Sequence, residues 1–427
     1  MKRYVTFIIF MTLAMTGMAQ DKKHAVPEHG VERNMPLFYQ QLKEQLTFPW
    51  AWTNKNEAMP YDEWRSEARR QIFRTMQIAP PAPDTYDYEV VEREQRDGYE
   101  AQKIRFWINK WEKTTAYLLV PQPLPTSPKG RRKATPLASS KQSAYGAVLL
   151  LHDHGAHFAI GKEKMVRPFA EDSVIIKDAE DWAVACYDGR FVGDELAKAG
   201  YVVLSIDALF WGDRSRLEDR KDIGKALATK ENKQKTYDTQ QALASNMLQM
   251  GTSWGAWITW DDIRAAEFLS QLPMVDPERV GCVGFSMGSY RSWMLSALTD
   301  VVKASANICW MSDTEHLMSL ENNQNKGGSA YSMLIPGIRN IMDYPHVASL
   351  ACPKPTLFFN GFMDKLFPVP GVEASYRTMR EVWHSQGADS NLITKIWQEK
   401  HFFNKEMQDE VIEFFNKQLK PLPTSQK

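Results

Sequence analysis

The chain has no excess of either charge. Its 427 residues carry 52 Lys plus Arg against 52 Asp plus Glu. That balance argues against nucleic acid or an anionic membrane surface as the main partner. Cysteine is scarce. Cys186, Cys282, Cys309 and Cys352 are the whole set, too few for a disulfide scaffold. Four cysteines allow three full pairings, and free buried thiols are an equal alternative. There is no internal repeat, so a propeller or solenoid is not expected. After the first residues, no apolar run is long enough to span a bilayer.

The first residues have a different character. Lys2 and Arg3 precede an apolar run from Val5 to Met15, and Gly17-Met18-Ala19 follows. This reads as an export signal over 1–19, with a mature chain from Gln20 and a periplasmic or secreted address. No cysteine lies beside the cleavage site, so no lipid anchor is expected. Residues 20–84 hold helical patterns near Pro36 to Leu46 and Tyr61 to Met76. They read as a helical extension packed on a main domain over 85–427. Tyr86 to Val120 alternates apolar and polar residues around Asp97-Gly98, as hairpin strands do. The stretch 121–146 is a polar loop insertion. Its cluster Lys129-Gly130-Arg131-Arg132-Lys133 reads as a solvated loop.

From Ala147 onward, apolar runs alternate with helical patterns. That order predicts an α/β fold: a mostly parallel central sheet with helices on both faces. The most informative segment is Gly284-Phe285-Ser286-Met287-Gly288, between the apolar run Arg279–Val283 and a helical run from Tyr290. Strand, G-x-S-x-G, helix is a nucleophile elbow. The turn leaves no room for side chains at its flanks, hence glycine at both. It holds the Ser286 hydroxyl at a helix N-terminus, where the Met287 amide favours negative charge.

A serine nucleophile needs a base, and the base needs an acid to orient it. Asp364 follows the apolar strand Pro355 to Gly361. His401 follows the strand Asn391 to Trp397. The order Ser286, Asp364, His401 is the one this fold uses. Asp207 also ends a strand. It reads as a loop anchor, capping amides or pairing with Arg214, against the alternative of a relocated triad acid. A second oxyanion donor is expected after the strand Ala147 to Leu151, at the amide of Ala156, with Gly155 next in rank. His152, His154 and His157 there invite a metal reading. The aspartate such a ligand run needs is missing, since position 156 is Ala.

The segments Leu151-His152-Asp153-His154-Gly155, Gly161-Lys162-Glu163-Lys164, Gly200 to Leu204, Trp211-Gly212-Asp213-Arg214 and the elbow resemble bacterial α/β-hydrolases known as acetyl xylan esterases, relatives of dienelactone hydrolases. The resemblance runs from about Tyr86 onward. It implies an ester hydrolase with Ser286, Asp364 and His401 as its triad, no cofactor, and acetylated plant polysaccharide or its oligosaccharides as substrate. Two alternatives stand beside it: a serine peptidase on the same fold, and an inactive carbohydrate-binding protein.

Regions 209–255 and 310–345 follow strand ends and are expected to roof the site. Trp211 and Trp310 in them are candidate sugar-stacking residues. Trp254, Trp257 and Trp260 recur at near-helical spacing and read as core. Lys162, Glu163, Lys164 and Arg190 read as salt bridges that order a loop, against the alternative of an acidic-substrate site.

Overall fold

A computed structural model describes residues 29–122, 145–216, 230–322 and 330–420. The expected export signal over 1–19 and most of the expected insertion 121–146 lie outside the described residues. Nine strands form one sheet: β1 (Tyr88–Arg96), β2 (Tyr99–Asn109), β3 (Glu112–Pro121), β4 (Tyr145–Leu151), β5 (Val202–Ile206), β6 (Val275–Phe285), β7 (Ala304–Ile308), β8 (Thr356–Gly361) and β9 (Leu392–Trp397). Their order across the sheet is β9-β8-β7-β6-β4-β5-β3-β2-β1. The pairings β4 to β5, β4 to β6, and onward through β9 are parallel, whereas β1, β2, β3 and β5 pair antiparallel. This is the expected fold class.

Parallel strands are covered on both faces and therefore read as continuous apolar runs. β4 shows the mechanism. Its alternate residues face opposite ways. Leu149 and Leu151 join one core with Trp254, Ala265 and Met294. Val148 and Leu150 join another with Val192, Leu196, Met407 and Phe415. The first layer holds α1 (Tyr61–Met76), α5 (Trp254–Gln271), α6 (Met287–Leu298), α7 (Tyr344–Ala348) and α8 (Val369–Ser385). The second holds α3 (Val192–Lys198) and α9 (Lys405–Leu419).

The N-terminal segment is part of this packing. Helix α1 buries Trp64, Ala68, Ile72 and Met76, one face at a spacing of four. Arg69 of α1 donates to the Ala297 carbonyl at the end of α6 and clasps Asp300 with both guanidinium nitrogens, at 3.0 and 2.9 Å. Those bonds hold the Asp300 carboxyl down to about 2.

The sheet order sets the place of the site. After β4 the chain passes through α2 (Ser173–Tyr187) and α3 to β5 on one side. It then passes through α4 (Lys230–Gln249) and α5 to β6 on the other side. The carboxyl end of β4 is a topological switch point, where loops part and leave a crevice. No described helix is long and apolar enough to cross a membrane.

Candidate active site

β6 ends at Phe285 and α6 begins at Met287. Ser286 between them has φ +56° and ψ −123°. A left-handed φ costs a residue with a side chain about 1–2 kcal/mol. Two contacts hold it there. The Ser286 amide donates to the Ile308 carbonyl of β7 at 2.8 Å. The flanking glycines admit no side chain: a Cβ on Gly284 would lie 2.0 Å from the Gly288 oxygen, and one on Gly288 would lie 1.7 Å from the Leu151 oxygen. The start of α6 thus rests on the end of β4. As the first helical residue, Met287 has an amide with no partner inside the helix.

The three residues expected to act together lie together. His401 Nε2 is 2.8 Å from Ser286 Oγ, and His401 Nδ1 is 2.6 Å from Asp364 Oδ2. The Asp364 side chain is fully buried, and its other oxygen accepts from the Leu366 amide at 2.9 Å. The network assigns the proton of the neutral imidazole to Nδ1, facing Asp364. Nε2 then accepts from the serine hydroxyl. The ring leans on Phe285, with centroids 4.9 Å apart.

Asp207 has other partners. Its carboxylate accepts from the Lys162 amide at 2.7 Å, the Lys162 ammonium at 2.8 Å and the Asp213 amide at 3.0 Å. Burial raises its carboxyl to about 6, against the pull of Lys162. The expected amide capping is present. The expected pairing with Arg214 is not: Arg214 donates to the Asp207 backbone carbonyl, and its ion pairs run to Asp261 and Glu112. The polar body of Lys162 is buried with Asp207, Glu163 and Asp213 around it. Arg190 pairs with Asp409. These charges order loops.

The loop after β4 is held by a second buried lysine. Lys164 Nζ donates to the carbonyls of Asp153 and His154, both at 3.0 Å, and lies 3.5 Å from Asp153 Oδ1. The other Asp153 oxygen accepts from Tyr187 at 2.6 Å and Trp182 at 3.1 Å. The His154 carbonyl also accepts from Trp211 Nε1 at 2.9 Å and from the Ala156 amide at 2.6 Å. Ala156, at φ +56°, therefore turns its N–H back into its own loop. This corrects the expectation that Ala156 supplies the second oxyanion donor. A planar trans peptide sets N–H opposite C=O. With the His154 carbonyl fixed by three donors, the Gly155 amide points the other way.

The tryptophan expectations also change. Trp211 and Trp310 are 0% and 1% exposed. Trp211 packs against His152, His154 and Trp254. Trp310 packs among Tyr290, Trp293, Tyr344 and Phe367. Neither offers a ring face to a sugar. They follow strands as expected, but turn inward. Trp254 is buried as core.

The histidines of the β4 loop do not converge on a point. His152 uses both ring nitrogens, Nδ1 toward the Asp153 carbonyl and Nε2 accepting from the Ala208 amide. Burial pushes its pKa well below the ordinary value. His157 Nδ1 faces Asp178 at 2.6 Å. Among the described residues, the one cluster of metal-type donors is Cys309 with Asp364 and His401. Burial raises the Cys309 thiol above its ordinary range, so it presents a neutral thiol there. All four cysteines are free.

A cavity of about 200 Å³ opens at Ser286 and His401. Asp153, Gly155, Trp182, Cys186, Tyr237 and Leu366 are among its walls. Tyr237 comes from α4. Parts of the two regions expected to roof the site, 217–229 and 323–329, lie outside the described residues.

The model of the prolyl oligopeptidase family matches residues 231–421, a span that holds Ser286, Asp364 and His401. A candidate hydrolase of Bacillus subtilis (strain 168), YtaP, is 25% identical over 356 residues, covering 83% of this chain and 100% of its own length. A candidate acetyl xylan esterase from Bacteroides fragilis NCTC 9343 has a similar structure, with TM-score 0.60 and 16% identity over 88% of this chain and 85% of its own. A glucuronoyl esterase from Solibacter usitatus gives TM-score 0.54 and 13% identity, covering 85% and 95%. The strand order, the elbow and these likenesses together establish that the chain has the α/β-hydrolase fold.

Proposed function

We propose that the protein is an exported serine esterase acting on acylated carbohydrate. The observation that carries the reading is the unbroken relay from Asp364 through His401 to Ser286, at 2.6 and 2.8 Å. His401 Nε2 takes the hydroxyl proton as Ser286 Oγ attacks the ester carbonyl. Asp364 holds the tautomer and stabilises the imidazolium. The amides of Met287 and Gly155 receive the oxyanion. His401 then gives its proton to the leaving alcohol. A water, deprotonated by the same nitrogen, releases the acyl group and restores the serine. All of this chemistry is available from the chain itself.

The fold likeness to an acetyl xylan esterase and a glucuronoyl esterase supports carbohydrate as the alcohol or acyl part. The pattern of residues 1–19 supports export. The test is direct. Ser286→Ala keeps the turn but removes the nucleophile, so turnover of p-nitrophenyl acetate should fall by about 10⁴–10⁶. Retention of more than a few per cent of the activity refutes the assignment. A fluorophosphonate probe should label Ser286 in the parent, which a mere binding protein would not permit. A screen of acetyl, feruloyl and methyl esters identifies the acyl group.

A second reading, a serine peptidase, has the prolyl oligopeptidase match in its favour. Cleavage of peptide p-nitroanilides at rates above those for acetyl esters would establish it instead.

A further inference from the structure

A second cavity adjoins the catalytic one. It measures about 330 Å³ and shares His154 and Tyr237 with its neighbour. That volume lies at the low end of small-molecule sites, which run about 300–1,000 Å³. Ser332 sits in its wall and donates to Met287 Sδ at 3.4 Å, so the cavity abuts the residue that follows the nucleophile. Gln240 also lines it. Gln240 is 4% exposed, and its amide nitrogen has no hydrogen-bond partner. A buried donor without an acceptor is costly, and ordinarily such groups are paired. This one belongs to a residue that lines the cavity beside Ser286.

The other walls decide the chemistry of the occupant. Tyr237, Gln241, Tyr331 and Ser332 offer hydroxyl and amide groups, and Trp254 an aromatic edge. The charged group is Asp238, held by Gln234 at 2.8 Å. Among the described residues, no Lys or Arg lines either cavity. Groups that both donate and accept suit hydroxyls. A lone carboxylate without a cation disfavours an anionic ligand.

We propose that this cavity is the subsite for an uncharged sugar ring next to the scissile ester, with Gln240 donating to one of its oxygens. Its placement rests on the esterase reading. It adds that the ring is neutral and not a uronic acid, and that Gln240 helps to select it.

The experiment is calorimetric binding to full-length Ser286→Ala, with a monoacetylated methyl xyloside and the matching monoacetylated methyl glycoside of a uronic acid as probes. The xyloside should bind. Adding Gln240→Leu should weaken it about fivefold, the worth of one neutral hydrogen bond. The uronic acid should bind about fivefold more weakly than the xyloside at neutral pH, from the nearby carboxylate. Gln240→Leu should melt at or above its parent, because it removes an unpaired buried amide. An unchanged affinity, a uronic acid bound as tightly as the xyloside, or a fall in melting temperature that accompanies weaker binding overturns the proposal. The two readings fail separately. Parent enzyme that leaves the xyloside intact while Ser286→Ala binds it with this Gln240 dependence refutes the esterase and supports the subsite. Hydrolysis by the parent with binding insensitive to Gln240 does the reverse.

Discussion

Lys164→Met tests whether a buried ammonium aims the oxyanion loop. The substitution keeps the side-chain length and removes bonds to two carbonyls, at 3.0 Å each, and the approach to Asp153 Oδ1 at 3.5 Å. Hydrogen bonds from a charged donor contribute about 1.5–3 kcal/mol each. Asp153 keeps Tyr187 and Trp182, so its carboxylate does not become an unsupported charge. The expected loss is about 3–5 kcal/mol, as for one partner of a buried pair. Against a usual stability of about 5–15 kcal/mol, the variant stays folded at low temperature. Catalysis suffers through the His154–Gly155 peptide. Its carbonyl loses one of three donors, so the Gly155 amide loses aim but is not removed. Full loss of an oxyanion donor costs about 10²–10³ in kcat. The expected fall is therefore smaller, about tenfold to hundredfold. KM should change little, because the ground-state carbonyl draws less from that amide than the oxyanion does. Urea melts and steady-state hydrolysis of p-nitrophenyl acetate measure both. A folded variant with kcat within about threefold of the parent refutes the reasoning, because the oxyanion term itself is worth far more than that.

Three further outcomes follow from the site. Asp364→Asn should lower kcat about 10⁴-fold through loss of tautomer control, with a modest change in melting temperature. Asp207→Asn should do the opposite, lowering the melting temperature while kcat holds, since its oxygens serve Lys162 and the Asp213 amide; a stably folded but inactive Asp207→Asn would reassign the acid. Exhaustive EDTA treatment should leave activity intact, and zinc-restored loss would revive the role of His152 and His157 as ligands.

Much of the architecture was legible because most strands of the parallel sheet carry a short apolar or alternating run with a turn after it. Ser286, Asp364 and His401 each follow such a run, and position after a strand is visible in one dimension. The direction of a side chain is not. Trp211 and Trp310 follow strands too, and inward and outward tryptophans look alike in sequence. Ala156 failed for a related reason: a small residue permits a positive φ, but where its N–H then points depends on the His154 carbonyl and its three donors. The sequence pattern makes Lys164 one half of a loop-ordering salt bridge. Its main partners are backbone carbonyls, which carry no residue signature. Gln240 lies on a helix whose polar face resembles any solvated one.

The segment that carries His401 is fixed by α9, the last described helix. Phe403 donates its amide to the Cys186 carbonyl, and Gln408 of α9 bonds to the carbonyls of Tyr187 and Phe403. Leu419 and Phe415 press on Gly281 of the nucleophile strand. During synthesis, Ser286 thus emerges more than a hundred residues before His401, the base of the proposed mechanism. A growing chain holds an inert alcohol at its elbow. On the proposed mechanism, Ser286 becomes reactive only once α9 has docked, so hydrolytic competence would report that docking.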